Sequence, residues 1–182
     1  DEGLLRPSGH QDLLEDKNRK ITSLGFLAGQ VSVVVGDDKG GLKVWLPVRK
    51  QGVGQAVMVP VHDLTHHQSR VTALAASGRS RTLAVGYEDG TIQLMHVTSR
   101  RFIGETTMTG GAVNSLAISP REDLLVASSS GGFGTWELAA DHPDISLAAL
   151  IKPIWYEGYD EPAYVWQSSS ASDTFEHKLS LV

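Results

Sequence analysis

Apolar positions in this chain come in short alternating runs, broken at regular intervals by glycine-bearing turns. Val71, Ala73 and Ala75 alternate with Thr72, Leu74 and Ala76, so both faces of this run are small or apolar, which suits a strand packed on two sides. Leu83 to Val85 is a second apolar run, stopped at Gly86. Asp89-Gly90 follows, a strong tight-hairpin signal because glycine accepts positive φ without steric cost. Ile92, Leu94 and His96 then alternate with Gln93, Met95 and Val97, a period of two, and residues 102–107 supply a fourth run. The stretch from His66 onward therefore predicts four antiparallel strands joined by hairpins.

The pattern recurs before and after. Gly36, Gly40 and Trp45 fall on Gly86, Gly90 and Met95 at a constant offset of 50, and Gly90 and Met95 fall on Gly131 and Trp136 at an offset of 41. A period of about 40 to 50 residues is the spacing of β-propeller blades, whose sheets cannot bury their faces alone and are stabilised by stacking. The expected fold is all-β: three four-stranded blades at residues 21–64, 65–108 and 109–150, forming part of a propeller. In the first blade the strands are expected at 21–27, 31–35, 42–46 and 56–61. In the third they are expected at 113–118, 124–128 and 133–138, with 145–150 closing the sheet. Residues 1–20 read as a polar linker or the outer strand of a preceding blade, and 151–182 as an aromatic-rich extended segment.

The repeats resemble WD40 repeats. His67 stands four residues before Val71, and Asp89-Gly90-Thr91-Ile92 forms the turn into the third strand, as that family places them. The resemblance implies that His67 and Asp89 join a buried, structural hydrogen-bond network. The other copies depart from it. Lys39 and Ser130 replace the Asp, no His precedes Ile21, Thr109 takes the His place before Val113, and Met95 replaces the Trp of the middle copy. The repeats are degenerate, and the network is expected to be partial.

Composition narrows the function classes. With 41% apolar and 20% charged residues the chain is an ordinary globular one. A net charge of −5 argues against a broad nucleic-acid surface. The absence of cysteine removes disulfides, thiol catalysis and cysteine-based zinc sites. No apolar run approaches the ~20 residues that span a bilayer.

Candidate chemistry is thin, and neither a catalytic residue, a metal nor a cofactor is expected. His62, His66 and His67 cluster with Asp63, but in a loop between blades, where His67 already has a structural reading. The glycine-rich turn at 128–134 has no following Lys or helix, as a phosphate loop would need. Asp37-Asp38 and Glu88-Asp89 lie in hairpin turns, where solvated acids are routine, and no G-x-S-x-G elbow occurs. Arg79, Arg81, Arg100 and Arg101 cluster in turns of the middle blade, facing solvent. Direct phosphate sensing through them is a minor reading.

Six of the twelve aromatics fall in the last 32 residues. Trp155, Tyr156, Tyr159, Tyr164 and Trp166 read as a partner-facing or membrane-proximal surface, since Trp and Tyr favour bilayer interfaces. Residues 154–182 resemble the segment before the transport helices of bacterial phosphate ABC transporter permeases, which carry a propeller-like insertion. That resemblance implies a non-catalytic accessory domain on the periplasmic side of the inner membrane, followed by a membrane helix beyond this sequence. Its partners would be other transporter subunits and the soluble phosphate-binding protein, reached by docking or through assembly. The alternative is a cytoplasmic WD-repeat protein-interaction scaffold. Three blades leave the first and last sheets with open apolar flanks, so further blades before Asp1 and self-association of the isolated piece are expected.

Overall fold

The computed structural model describes residues 9–49, 56–138, 153–154, 164–166 and 177–179. The described residues are all strand, turn and loop, and form three four-stranded antiparallel sheets. The first contains β1 (Ile21–Phe26), β2 (Val33–Asp37), β3 (Leu42–Arg49) and β4 (Ala56–Asp63), in that spatial order. The second contains β5 (Val71–Ala76), β6 (Thr82–Tyr87), β7 (Thr91–His96) and β8 (Arg101–Thr107). The third contains β9 (Val113–Ile118), β10 (Leu124–Ser129), β11 (Gly132–Glu137) and β12 (Pro153–Ile154). A separate pair joins β13 (Tyr164–Trp166) to β14 (His177–Leu179).

Residue alternation explains the stacking. Leu83, Val85 and Tyr87 of β6, with Met95 and Val97, point into one apolar cluster shared with Val34, Leu42, Val44 and Leu64 of the first sheet. Ala84, Ile92 and Leu94, one residue out of phase, point into a second cluster with Val113, Leu125, Ala127 and Trp136 of the third. The period of two thus gives the middle sheet two buried faces. Each fully buried Val, Leu or Met contributes about 1.5–3 kcal/mol relative to exposure.

The sheets also repeat in detail. The register of the inner pair shifts between Ile21 and Ser23, and again at the equivalent positions between Val71 and Ala73. The Asp38 N–H donates to Lys20 O at 3.0 Å and the Glu88 N–H to Arg70 O at 2.9 Å, fifty residues apart. The first-turn bonds Leu27 N to Ser32 O, Ser77 N to Thr82 O and Ser119 N to Leu124 O are equivalent in all three. Gly40 and Gly90 both adopt positive φ, 84° and 89°, in the turns where these residues were needed.

Some boundaries differ from the sequence reading. β2 starts at Val33 rather than 31, because residues 28–32 turn through Gly29 and Gln30, both at positive φ. β3 runs on to Arg49, paired with Ala56. The strand seen beside β11 is Pro153–Ile154, while the expected closing strand at 145–150 lies outside the described residues. On the flank of the first sheet Leu24 and Phe26 are 62% and 61% exposed, whereas Leu74, the equivalent of Leu24, packs against the core of the preceding sheet.

Candidate functional site

One cluster of polar groups lies at the end of the sheets formed by the β2–β3 and β6–β7 turns. In the second sheet the loop after β4 carries His67 over the β6–β7 turn. His67 Nε2 lies 2.6 Å from Asp89 Oδ2, and the Thr91 N–H donates to Asp89 Oδ1 at 3.0 Å. Burial pushes the Asp89 carboxyl up, but the bonds from His67 and Thr91 override it and hold the group below its ordinary value. The pair is half-exposed, with side chains 29% and 44% accessible, rather than enclosed.

Beneath it the His67 ring meets the edge of Tyr87 at a centroid distance of 4.6 Å. Tyr87 is fully buried, and its hydroxyl donates to Gln93 Oε1 at 3.0 Å, while Gln93 Nε2 donates to Glu105 Oε2 at 3.2 Å. The polar chain therefore runs from the turn through the sheet to its outer strand. Burial, with Asp89 and Glu105 nearby, raises the Tyr87 phenol well above its ordinary value and keeps it neutral.

The first sheet solves the same problem with other residues. Asp37, 4% exposed, takes the place of Tyr87 at the end of its strand. Its Oδ1 accepts from the Lys39 and Gly41 N–H groups at 2.8 Å each, and its Oδ2 accepts from Arg19 Nη1 at 2.9 Å. Burial pushes the Asp37 carboxyl up, but these bonds bring it below its ordinary value, and the same pairing raises Arg19. The sequence reading missed this pair, having assigned Arg19 to a linker or the outer strand of a preceding blade and Asp37 to a solvated turn. A carboxylate at a strand end, two residues before Lys39 and followed by Gly40-Gly41, is an Asx-turn signal that points to it.

Beside Arg19 and Asp37 is a cavity of about 340 Å³, also lined by Leu13, Leu14, Lys43 and Trp45. The Trp45 Nε1 is buried without a hydrogen-bond partner among the described residues. His62, His66 and Asp63 lie in or next to the same inter-sheet loop, and the His66 ring meets Phe102 at a tilt, with a centroid distance of 5.9 Å. Among the described residues no group of three or more His, Asp or Glu could hold a metal ion. Of the five aromatics singled out in the sequence, Tyr164 and Trp166 lie on β13, while Trp155, Tyr156 and Tyr159 fall outside the described residues.

Turn arginines also behave differently from the sequence reading. Arg81 is not simply solvated, since its Nη1 donates to Ala28 O of the first sheet at 2.8 Å. At the equivalent seam between the second and third sheets Glu122 accepts from the Ser77 hydroxyl, and from the Ser80 N–H at 3.0 Å.

Comparison with known proteins agrees with this architecture. Residues 58–94 match the family model for the WD domain, G-beta repeat. Dynein axonemal assembly factor 10 of Homo sapiens is 26% identical over 148 residues, covering 78% of this chain and 41% of that protein. WD repeat-containing protein 55 of Mus musculus is 26% identical over 107 residues, 59% of this chain and 26% of that protein. The solved β-propeller domain of Cps50 (Swd1) from Myceliophteria thermophila superposes with a TM-score of 0.55 at 15% identity, covering 68% of this chain and 37% of that one. The chain spans about two fifths of the length of dynein axonemal assembly factor 10. The fold is a partial propeller of degenerate WD40-like blades.

These matches overturn the phosphate-permease reading. These two relatives are animal proteins, one named as a dynein axonemal assembly factor and matched over 78% of the chain, the other named as a WD repeat-containing protein and matched over 59%. The resemblance of the tail rested on about thirty residues outside the repeats. With it fall the role in phosphate import, the transporter subunits and phosphate-binding protein as partners, and the periplasmic, inner-membrane location. No helix among the described residues is long and apolar enough to cross a membrane.

Proposed function

We propose that this chain is a non-catalytic WD-repeat interaction module, which holds other proteins against the ends and flanks of its stacked sheets. The observation that carries this reading is that Asp37, Tyr87, Gln93 and Glu122 spend their hydrogen bonds on the stack itself. Asp37 ties down a turn and Arg19, Tyr87 and Gln93 form a closed chain inside a sheet, and Glu122 ties two sheets together. None of these groups is left poised over a cleft with a nucleophile and a base in reach of each other. The relatives support the same reading, one being named as a WD-repeat protein and another as an assembly factor.

The test is affinity capture from animal cell extract on the immobilised chain, with cross-linking to locate contacts. The expected outcome is a small set of proteins retained in stoichiometric amounts and lost when Gly86→Val disturbs the stack. Retention of nothing above a blank matrix, or turnover of a small-molecule substrate by the pure chain, would sink the reading.

A further inference from the structure

Antiparallel hairpins bring the β5–β6, β7–β8 and β9–β10 turns to one end of the molecule, opposite the end that holds His67 and Asp89. That end carries Arg79, Arg81, Arg100 and Arg121, all exposed. We propose that these four arginines form a docking surface for an acidic polypeptide segment. The inference rests on the interaction-module reading and names the chemistry of one partner.

Hydrogen bonds tie the turns that carry the four together. The Val97 N–H donates to Arg81 O at 2.9 Å, and the Arg100 N–H donates to Val97 O at 3.2 Å, so the β5–β6 and β7–β8 turns of the middle sheet are joined. The Ser80 N–H, between Arg79 and Arg81, donates to Glu122 at 3.0 Å, which brings in Arg121 from the third sheet. Arg81 reaches back to Ala28 O, fixing its guanidinium over the seam with the first sheet. Positions on alternate strands of a sheet stand about 10 Å apart.

Of the acids at this end, Glu122 and Asp123 are engaged in hydrogen bonds, while Glu137 closes β11 beside them. Glu122 accepts from Ser77 and Ser80, and Asp123 accepts from the Ser119 hydroxyl at 2.5 Å. Among the described residues Arg79, Arg100 and Arg121 pair with no carboxylate. The arginine end stands out on a chain of net charge −5, whose opposite end mixes Asp37, Asp38, Glu88 and Asp89 with Arg19, Lys20, Lys39 and Arg70. An acidic segment is thus attracted to the arginine end. Guanidinium groups match carboxylates in bidentate geometry, and an extended segment places every second carboxylate about 7 Å apart on one side. A nucleic acid fits less well, because these turns carry no aromatic residue on which bases could stack.

The experiment is fluorescence anisotropy with a labelled twelve-residue glutamate peptide and the full chain at low salt, repeated with a labelled single-stranded oligonucleotide. The triple reversal Arg79→Glu, Arg100→Glu, Arg121→Glu is expected to weaken peptide binding at least tenfold, with circular dichroism and melting unchanged. Lys39→Glu, at the other end, is expected to leave it unchanged. Should the triple variant not fold, Arg121→Glu alone is expected to weaken binding about threefold. Peptide binding that survives the reversals, or an oligonucleotide that binds more tightly than the peptide, overturns the proposal. A wild-type chain that captures proteins but not the peptide overturns this surface and leaves the interaction module standing. One that binds the peptide through these arginines but captures no protein does the reverse.

Discussion

Val71 fills the space that a Cβ on Gly36 would need: an ideal Cβ there would stand 2.6 Å from Val71 Cγ1. The relationship repeats at the next seam, where a Cβ on Gly86 would stand 2.5 Å from Val113 Cγ1. Gly36 and Gly86 sit in the second strand of their sheets, and Val71 and Val113 open the inner strand of the next. Contacts this short force backbone or side chain to move. Gly86→Ala is expected to destabilise the chain by about 1–3 kcal/mol, the usual cost of overpacking. The double variant Gly86→Ala, Val113→Ala is expected to be more stable than the sum of the two single losses. Strict additivity in urea unfolding would show that the two residues do not share this space.

Removing the charge of Asp37 isolates the polar lock of the first sheet. Asp37→Asn is expected to cost about 1–3 kcal/mol at neutral pH, since hydrogen bonds to a charged acceptor are lost or weakened. The sign with pH follows from the lowered folded value. The stabilisation is complete above the ordinary aspartate value of about 3.9 and is lost as pH falls through the lower folded value. Acid unfolding of the wild type should therefore show a steeper loss below about pH 4 than that of Asp37→Asn. Parallel curves would remove Asp37 from the account.

The His67–Asp89 pair is half-exposed, so its net worth is small despite a 2.6 Å separation. His67→Ala is expected to lower stability by about 1 kcal/mol or less. Its clearer signature is on the partner: the Asp89 carboxyl, followed by NMR, should titrate at higher pH once the hydrogen bond from His67 is gone. An unmoved titration would mean that Thr91 alone holds Asp89 down.

Tyr87 is the buried member of the second sheet's polar chain. Tyr87→Phe leaves Gln93 Oε1 without its donor in the core and is expected to cost about 1–3 kcal/mol. Because burial raises the phenol above its ordinary value of about 10, the unfolded chain releases this proton first as pH rises. Wild-type stability should accordingly fall above about pH 10, and Tyr87→Phe should lose less over the same range. Identical alkaline losses in urea titrations at pH 8 to 11 would contradict the burial argument.

The number and phase of the sheets were legible in the chain because a strand's two faces are written in neighbouring residues. Leu83, Ala84 and Val85 already state which side each will take. The Gly36, Gly86 offset was legible as a repeat, but its cause was not, since the crowding side chains lie 35 and 27 residues further on. Arg19 was read as part of a linker or of a preceding blade's outer strand for a similar reason. Its partner Asp37 is 18 residues away and replaces a tyrosine, not the acid of the family pattern. The aromatic tail misled because a short resemblance outside the repeats carried the functional reading, while the family match falls within the repeats, at residues 58–94.

Taken alone, the order of residues determined the strands, the hairpin turns and the two-sided burial of the middle sheet, all of which depend on periods of two and on single glycines. Only the stacking of one sheet on the next decided which glycine receives which valine and which carboxylate meets which cation. It also decided that the arginines of separate turns share one end. Those pairings join residues distant along the chain, and nothing local in either partner specifies the other until the sheets meet.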